Sequence, residues 1–129
     1  MAGATLQSVD QSPQPRELGP AGESAALDVY LRRGYRLIAR NWRCAIGELD
    51  LVVARAGELV FCEVKARRSA SLGGPYEAVT WKKQRKIRAL AEVFLANSGL
   101  DPQAVRFDVA SVSVDARGRP SVHLFEHAF

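Results

Sequence analysis

The chain is poor in the residues that announce special chemistry. Its 129 residues hold two cysteines, two histidines and one methionine. Cys44 and Cys62 show no CxxC-type spacing, so neither a disulfide framework nor a zinc knuckle is expected, and the pair suits a reducing, cytoplasmic compartment. Cys62 falls among apolar strand residues and reads as a small buried hydrophobe. His123 and His127 have no cysteine or third histidine to complete a zinc set. No apolar run approaches the length of a membrane span. No basic segment followed by an apolar one opens the sequence, so no signal peptide is expected. There is no GxxxxGK, which argues against a nucleoside triphosphate site. Acids are in deficit, 14 against 18 Lys and Arg, for a net charge of +4. That modest basic excess suits a polyanionic partner without demanding one.

What is present fits one domain, long enough to bury a core without staples. Residues Met1 to Pro20 are rich in Gln, Ser, Pro and Ala without periodicity and read as a disordered tail. The domain is expected over 21–129. Ala21 to Arg33 has helical periodicity, with Gly34 as its stop. Tyr35 to Arg40 alternates as a first strand, and Asn41, Trp42 and Arg43 follow as a loop. Arg67 to Pro75 reads as a loop beside the next strands. Glu77 to Asn97 reads as a long helix with a core stripe of Gln84, Ile87, Ala91, Phe94 and Leu95, closed by Gly99. Arg106 to Val114 and Ser121 to Phe125 read as strands around a turn at Asp115 to Gly118. Trp42 reads as core, with base stacking as its alternative; Trp81 is ambiguous in the same way.

The centre of the chain is GELDLVVARAGELVFCEVK, Gly47 to Lys65. Two apolar, β-branched runs, Leu49 to Ala54 and Leu59 to Ala66, flank Ala56-Gly57, which is a hairpin signal. Charges inside such runs are costly unless paired or liganded. A tight reversal at Ala56-Gly57 sets Asp50 opposite Glu63, and Glu48 opposite Lys65. Facing carboxylates repel, and a divalent cation held between them is one reason to keep them. Mg2+ suits one or two carboxylates plus water and phosphate. Lys65 shares the strand face of Glu63, where an ammonium can orient water or neutralise developing charge.

Several polar residues admit two readings. Glu23, in the first turn of its helix, either complements the helix dipole or joins the hairpin acids. Lys82, Lys83, Arg85 and Lys86 make the opening of the long helix basic: either a solvated face or a grip on phosphates. Arg36, Arg40 and Arg43 divide in the same way. Asp108 is a runner-up acid and reads as structural.

The order helix, three strands, helix, strand, strand, with an acid in strand two and E-x-K in strand three, resembles the PD-(D/E)xK nuclease superfamily. GESAALDVYLRRGYRLIARNWRCAIGELDLVVA, then LVFCEVKAR and KKQRKI, resembles the YraN-type family of small bacterial proteins, which are similar to archaeal Holliday-junction resolvases. The resemblance spans about Gly22 to Phe125. It implies an α/β, restriction-endonuclease-like αβββαβ core, a mixed sheet flanked by helices. It implies a metal-dependent DNA endonuclease, acting on branched or non-B-form DNA with Mg2+ or Mn2+. The implied catalytic set is Glu23, Asp50, Glu63, Lys65 and Gln84. Asp50, Glu63 and Glu23 would hold metal, and Arg43, Lys82, Lys83, Arg85 and Lys86 would hold DNA. The superfamily's proline is absent, since Leu49 precedes Asp50. A homodimer is carried as a partner expectation. A non-catalytic nucleic-acid-binding module on the same fold is the alternative function.

Overall fold

The central hairpin forms as the sequence predicts. In the computed structural model, which describes residues 15–68 and 79–129, β2 (Gly47–Arg55) turns into β3 (Glu58–Arg68). Ala56 and Gly57 both take positive φ, 48° and 81°, and Arg55 faces Glu58. A two-residue reversal with positive φ at both centres matches the twist of the strands it joins. The remaining elements are α1 (Pro15–Arg32), β1 (Arg36–Cys44), α2 (Trp81–Ser98), β4 (Ala104–Val114) and β5 (Pro120–Phe125).

The strands form one five-stranded sheet in the order β1-β2-β3-β4-β5. Only β3 and β4 are parallel, so α2 is the crossover between them. This is the expected α/β architecture, a mixed sheet flanked by two helices, and it is consistent with a restriction-endonuclease-like core. Among the described residues no helix is long and apolar enough to cross a membrane.

Strand alternation builds two cores. Leu59, Phe61, Phe107 and Val109 point to one face, where Ile87, Leu90, Ala91 and Phe94 of α2 cover them. Val60, Cys62 and Ala110 point to the other, under Ala26 and Tyr30 of α1. Trp42 packs edge-on against Phe94, which is the core role expected of it.

Beside Tyr30 lies a polar knot that the sequence reading only half anticipates. Asp108 is fully buried and takes both Nε and a terminal nitrogen of Arg106 at 2.8 Å, plus the Tyr30 hydroxyl at 2.6 Å. Arg106 also reaches Glu58. Asp108 is thus structural, as expected: a buried carboxylate persists when a bidentate guanidinium and a hydroxyl satisfy its oxygens.

Element ends differ most from expectation in four places. The helix α1 begins at Pro15, so Pro15 to Pro20 are helical instead of tail, and Leu18 is buried. Residues 1–14 of the expected tail lie outside the described residues. Asn41 to Arg43 belong to β1, because pairing with β2 continues through Trp42↔Leu49 and Arg43↔Glu48. Strand β3 runs on through Arg68, held by β4; residues 69–75 of the expected loop lie outside the described residues. Finally, α2 starts at Trp81, not Glu77. Thr80 is extended and its hydroxyl accepts the Lys83 N–H at 3.1 Å, an N-cap that fixes the first turn. Residues 77 and 78 lie outside the described residues.

Candidate active site

The site arises where β2 and β3 part. Their pairing runs from Arg55↔Glu58 to Leu51↔Cys62. Past that point β2 keeps pairing with β1, while β3 keeps pairing with β4. Asp50 sits at the fork. Its Oδ2 accepts the Val64 backbone N–H at 2.8 Å, so the carboxylate takes a donor that lies beyond the last β2–β3 pair.

Asp50 and Glu63 do come together, near enough for the Glu63 charge to act on the Asp50 carboxyl. Burial first, and then the Glu63 charge, pushes the Asp50 carboxyl up to about 7. The expected opposition of Glu48 and Lys65 does not form, because the strands have already separated. Glu48 pairs instead with Arg43 across β1, at 3.0 Å. Lys65 follows Glu63 on the same face by alternation and is half-buried. Among the described residues it has no ion-pair partner.

Helix α1 delivers Glu23 from the other face of the sheet. Glu23 is 8% exposed, and its Oε1 accepts from Asn41 Nδ2 at 3.0 Å and Arg40 Nε at 3.4 Å. Burial raises its carboxyl, the Asn41 hydrogen bond lowers it, and the Asp50 charge raises it again. Glu23 therefore senses Asp50 electrostatically while being held by Arg40 and Asn41. Sequence reasoning missed both holders. Asn41 has φ of 54° inside β1. Asparagine tolerates that region better than most residues, so an asparagine within an alternating run was the available signal.

Gly22 allows this approach. A Cβ built on it would stand 2.6 Å from the Ala66 Cβ on β3. Gly22→Ala is therefore expected to force α1 and β3 apart, at a cost of about 1–3 kcal/mol for overpacking. Thermal melts check it; an unchanged melting temperature would show that the helix can shift freely.

Helix α2 contributes otherwise than expected. Lys83 does not simply face solvent or phosphate: its Nζ lies 3.4 Å from Glu63 Oε2. The attraction of a carboxylate pair for any nearby cation explains the contact. Gln84, expected to be catalytic, donates its amide to the Val79 carbonyl at 2.9 Å and braces the turn before α2. Lys82, Arg85 and Lys86 are exposed, and Arg43 is exposed apart from its Glu48 pairing. Among the described residues no group of three or more Asp, Glu, His or Cys side chains is close enough to hold a metal ion. The donor chemistry of the pair nevertheless fits a hard divalent ion: two neighbouring carboxylates, with Asp50 raised by burial first and then by Glu63.

A family described as "Uncharacterised protein family UPF0102" matches residues 22–112. The chain is 46% identical over 114 residues to UPF0102 protein STH1475 of Symbiobacterium thermophilum, covering 88% of this chain and 97% of that one. It is 40% identical over 115 residues to a UPF0102 protein of Moorella thermoacetica, covering 88% and 96%. A UPF0102 protein of Nocardia farcinica is 40% identical over 129 residues and covers all of both chains.

Proposed function

The chain belongs to the uncharacterised protein family UPF0102, and from that premise we propose that it is a metal-dependent endonuclease that hydrolyses phosphodiester bonds in branched or otherwise non-B-form DNA. The observation that carries the reading is the fork at Asp50 and Glu63. Burial and the neighbouring Glu63 charge raise the Asp50 carboxyl, and a fold has little structural use for that cost unless a cation offsets it. Asp50 and Glu63 would hold Mg2+ or Mn2+, with Glu23 reaching the shell through water. Such an ion, when bound, acidifies a water and offsets charge on the phosphoryl oxygens.

The chain's own groups do the rest. Lys65 orients the attacking water and balances charge as its oxygen bonds to phosphorus and the bond to the leaving sugar oxygen breaks. Lys83, now drawn to Glu63, is free to turn to a phosphate once a metal neutralises the pair. Lys82, Arg85 and Lys86 hold the phosphate backbone, without reading sequence. The reading has the protein act in the cytoplasm, where Cys44 and Cys62 remain free thiols.

The test is incubation of the protein with forked, junction, single-stranded and duplex DNA in Mg2+ or Mn2+. Metal-dependent cleavage of a branched substrate is expected. A parallel binding titration without metal compares the wild type with a variant carrying Gln at positions 82, 83, 85 and 86. Each lost phosphate contact reduces the log–log salt slope by about 0.9 on duplex DNA. Binding with this slope but no cleavage under any condition would assign the protein to the non-catalytic module. An unchanged slope would return the α2 cations to solvent.

A further inference from the structure

Trp81 is the first residue of α2 and is 72% exposed. An indole left in water offers a large flat apolar face to an occupant. Its surroundings say which. Lys82 and Lys83 occupy the first turn, no acid accompanies them there, and Arg85 and Lys86 follow. Cations at this end oppose the helix dipole, so the arrangement weakens the isolated helix and favours an anion beside it. The partner is therefore both polyanionic and able to cover an aromatic face.

Position narrows it further. Trp81, Arg85 and Arg88 recur at spacings of four and seven and share one side of α2. Arg88 lies over the Phe107 ring of β4, 4.6 Å from its centroid, so that side faces β4. Lys83, two residues after Trp81, reaches Glu63. The indole thus lies in the same helical turn as the residue that ties α2 to the carboxylate pair, on a different side of the helix. On the same sheet face, alternation from Phe61 and Val109 places Lys65 on β3 and Ser111 on β4.

We infer that the exposed Trp81 indole is a stacking platform for an unpaired base of the bound DNA strand, which makes nucleic acid with unstacked bases, rather than intact duplex, the form this site takes. The inference rests on the nuclease reading for its orientation toward the carboxylates. It adds the feature of the DNA that is recognised. Bases within a duplex are already stacked on both faces, whereas a base at a branch, gap or single-stranded segment offers a free π-face to the indole.

The experiment is equilibrium binding in EDTA, which uncouples it from cleavage. Full-length wild type, Trp81→Ala and Trp81→Phe are titrated against a fluorescein-labelled oligo-dT and a blunt duplex of equal length. Trp81→Ala is expected to lose about 5- to 150-fold in affinity for oligo-dT, the range for one stacked base, with little change on duplex. Trp81→Phe should retain most of the affinity. Wild-type tryptophan fluorescence should fall on saturation with oligo-dT, and most of that quench should vanish in Trp81→Phe. Melting curves should match, because the side chain is exposed. Equal losses on both DNAs, or no loss on either, overturn the inference and leave the nuclease reading standing. So does a change of oligomeric mass on Trp81→Ala with unaltered DNA affinity, which would make the indole a contact between copies. Failure of the wild type to bind either DNA removes both.

Discussion

In EDTA at pH 8, Asp50→Asn is expected to melt at a higher temperature than the wild type, with the gain fading as the pH is lowered toward 4. The Asp50 carboxyl is raised from 3.8 to about 7 in the fold, first by burial and then by Glu63. An acid whose folded value lies above its unfolded value binds its proton more tightly in the native state. Stability is therefore highest below about pH 4 for this group, and is lost as the pH climbs through the window between the two values. One unit corresponds to 1.36 kcal/mol, so the gap bounds the effect at about 4 kcal/mol, and sharing of charge with Glu63 brings it to roughly half that. Asparagine keeps the neutral shape, and its carbonyl can still accept the Val64 N–H. The same variant should lose the Mn2+-induced rise in melting temperature that the wild type gains by mass action, and should lose cleavage with it. Stability and function then move in opposite directions at one residue, as expected where a site stores repulsion for a ligand to relieve. Differential scanning calorimetry across pH 4 to 8 decides the matter. A variant that melts at or below the wild type at pH 8 would show that Asp50 is not held against its neighbour.

The hairpin, the sheet register and both helices were legible because each leaves a local signature. Ala56-Gly57 names the turn, and once the turn is placed, alternation fixes the face of every residue from Leu51 to Cys62. The fork was not legible in the same way. Whether two strands continue to pair beyond Leu51 depends on what their outer partners do, and β1 and β4 lie elsewhere in the chain. Extending the register arithmetic past the fork therefore gave Asp50 beside Glu63, which holds, and Glu48 opposite Lys65, which does not. Arg40 and Asn41 escaped notice because a hydrogen bond to Glu23 is a tertiary relation between α1 and β1. In the sequence, Lys83 is one more cation on a basic helix. Only the placement of α2 across the sheet shows it against Glu63. The resemblance to the YraN-type family carried further than periodicity could, since it named a family, and family membership is borne out.

Lys65→Ala should abolish most cleavage while sparing both kinds of binding. The substitution removes a cation but no carboxylate, so the Mn2+ affinity of Asp50 and Glu63 should stay close to that of the wild type. Lys65 is also absent from the exposed set on α2 that would hold the phosphate backbone, so DNA affinity should change little. An interaction made only as charge develops in the transition state lowers the rate and leaves ground-state binding intact. Loss of one such group typically costs about 10²–10³ in rate. A structural role for Lys65 would require a partner, and the obvious candidate, Glu48, is already paired with Arg43 on β1. Single-turnover cleavage of a branched substrate, Mn2+ titration and a thermal melt separate the cases. Wild-type cleavage by Lys65→Ala would remove Lys65 from the mechanism. A lower melting temperature with an unchanged rate per folded molecule would make it a structural residue. A collapse in rate with unchanged melting, metal binding and DNA binding would identify Lys65 as the group that meets the reacting phosphate, and would make Lys65→Ala a catalytically silent protein that still holds its substrate.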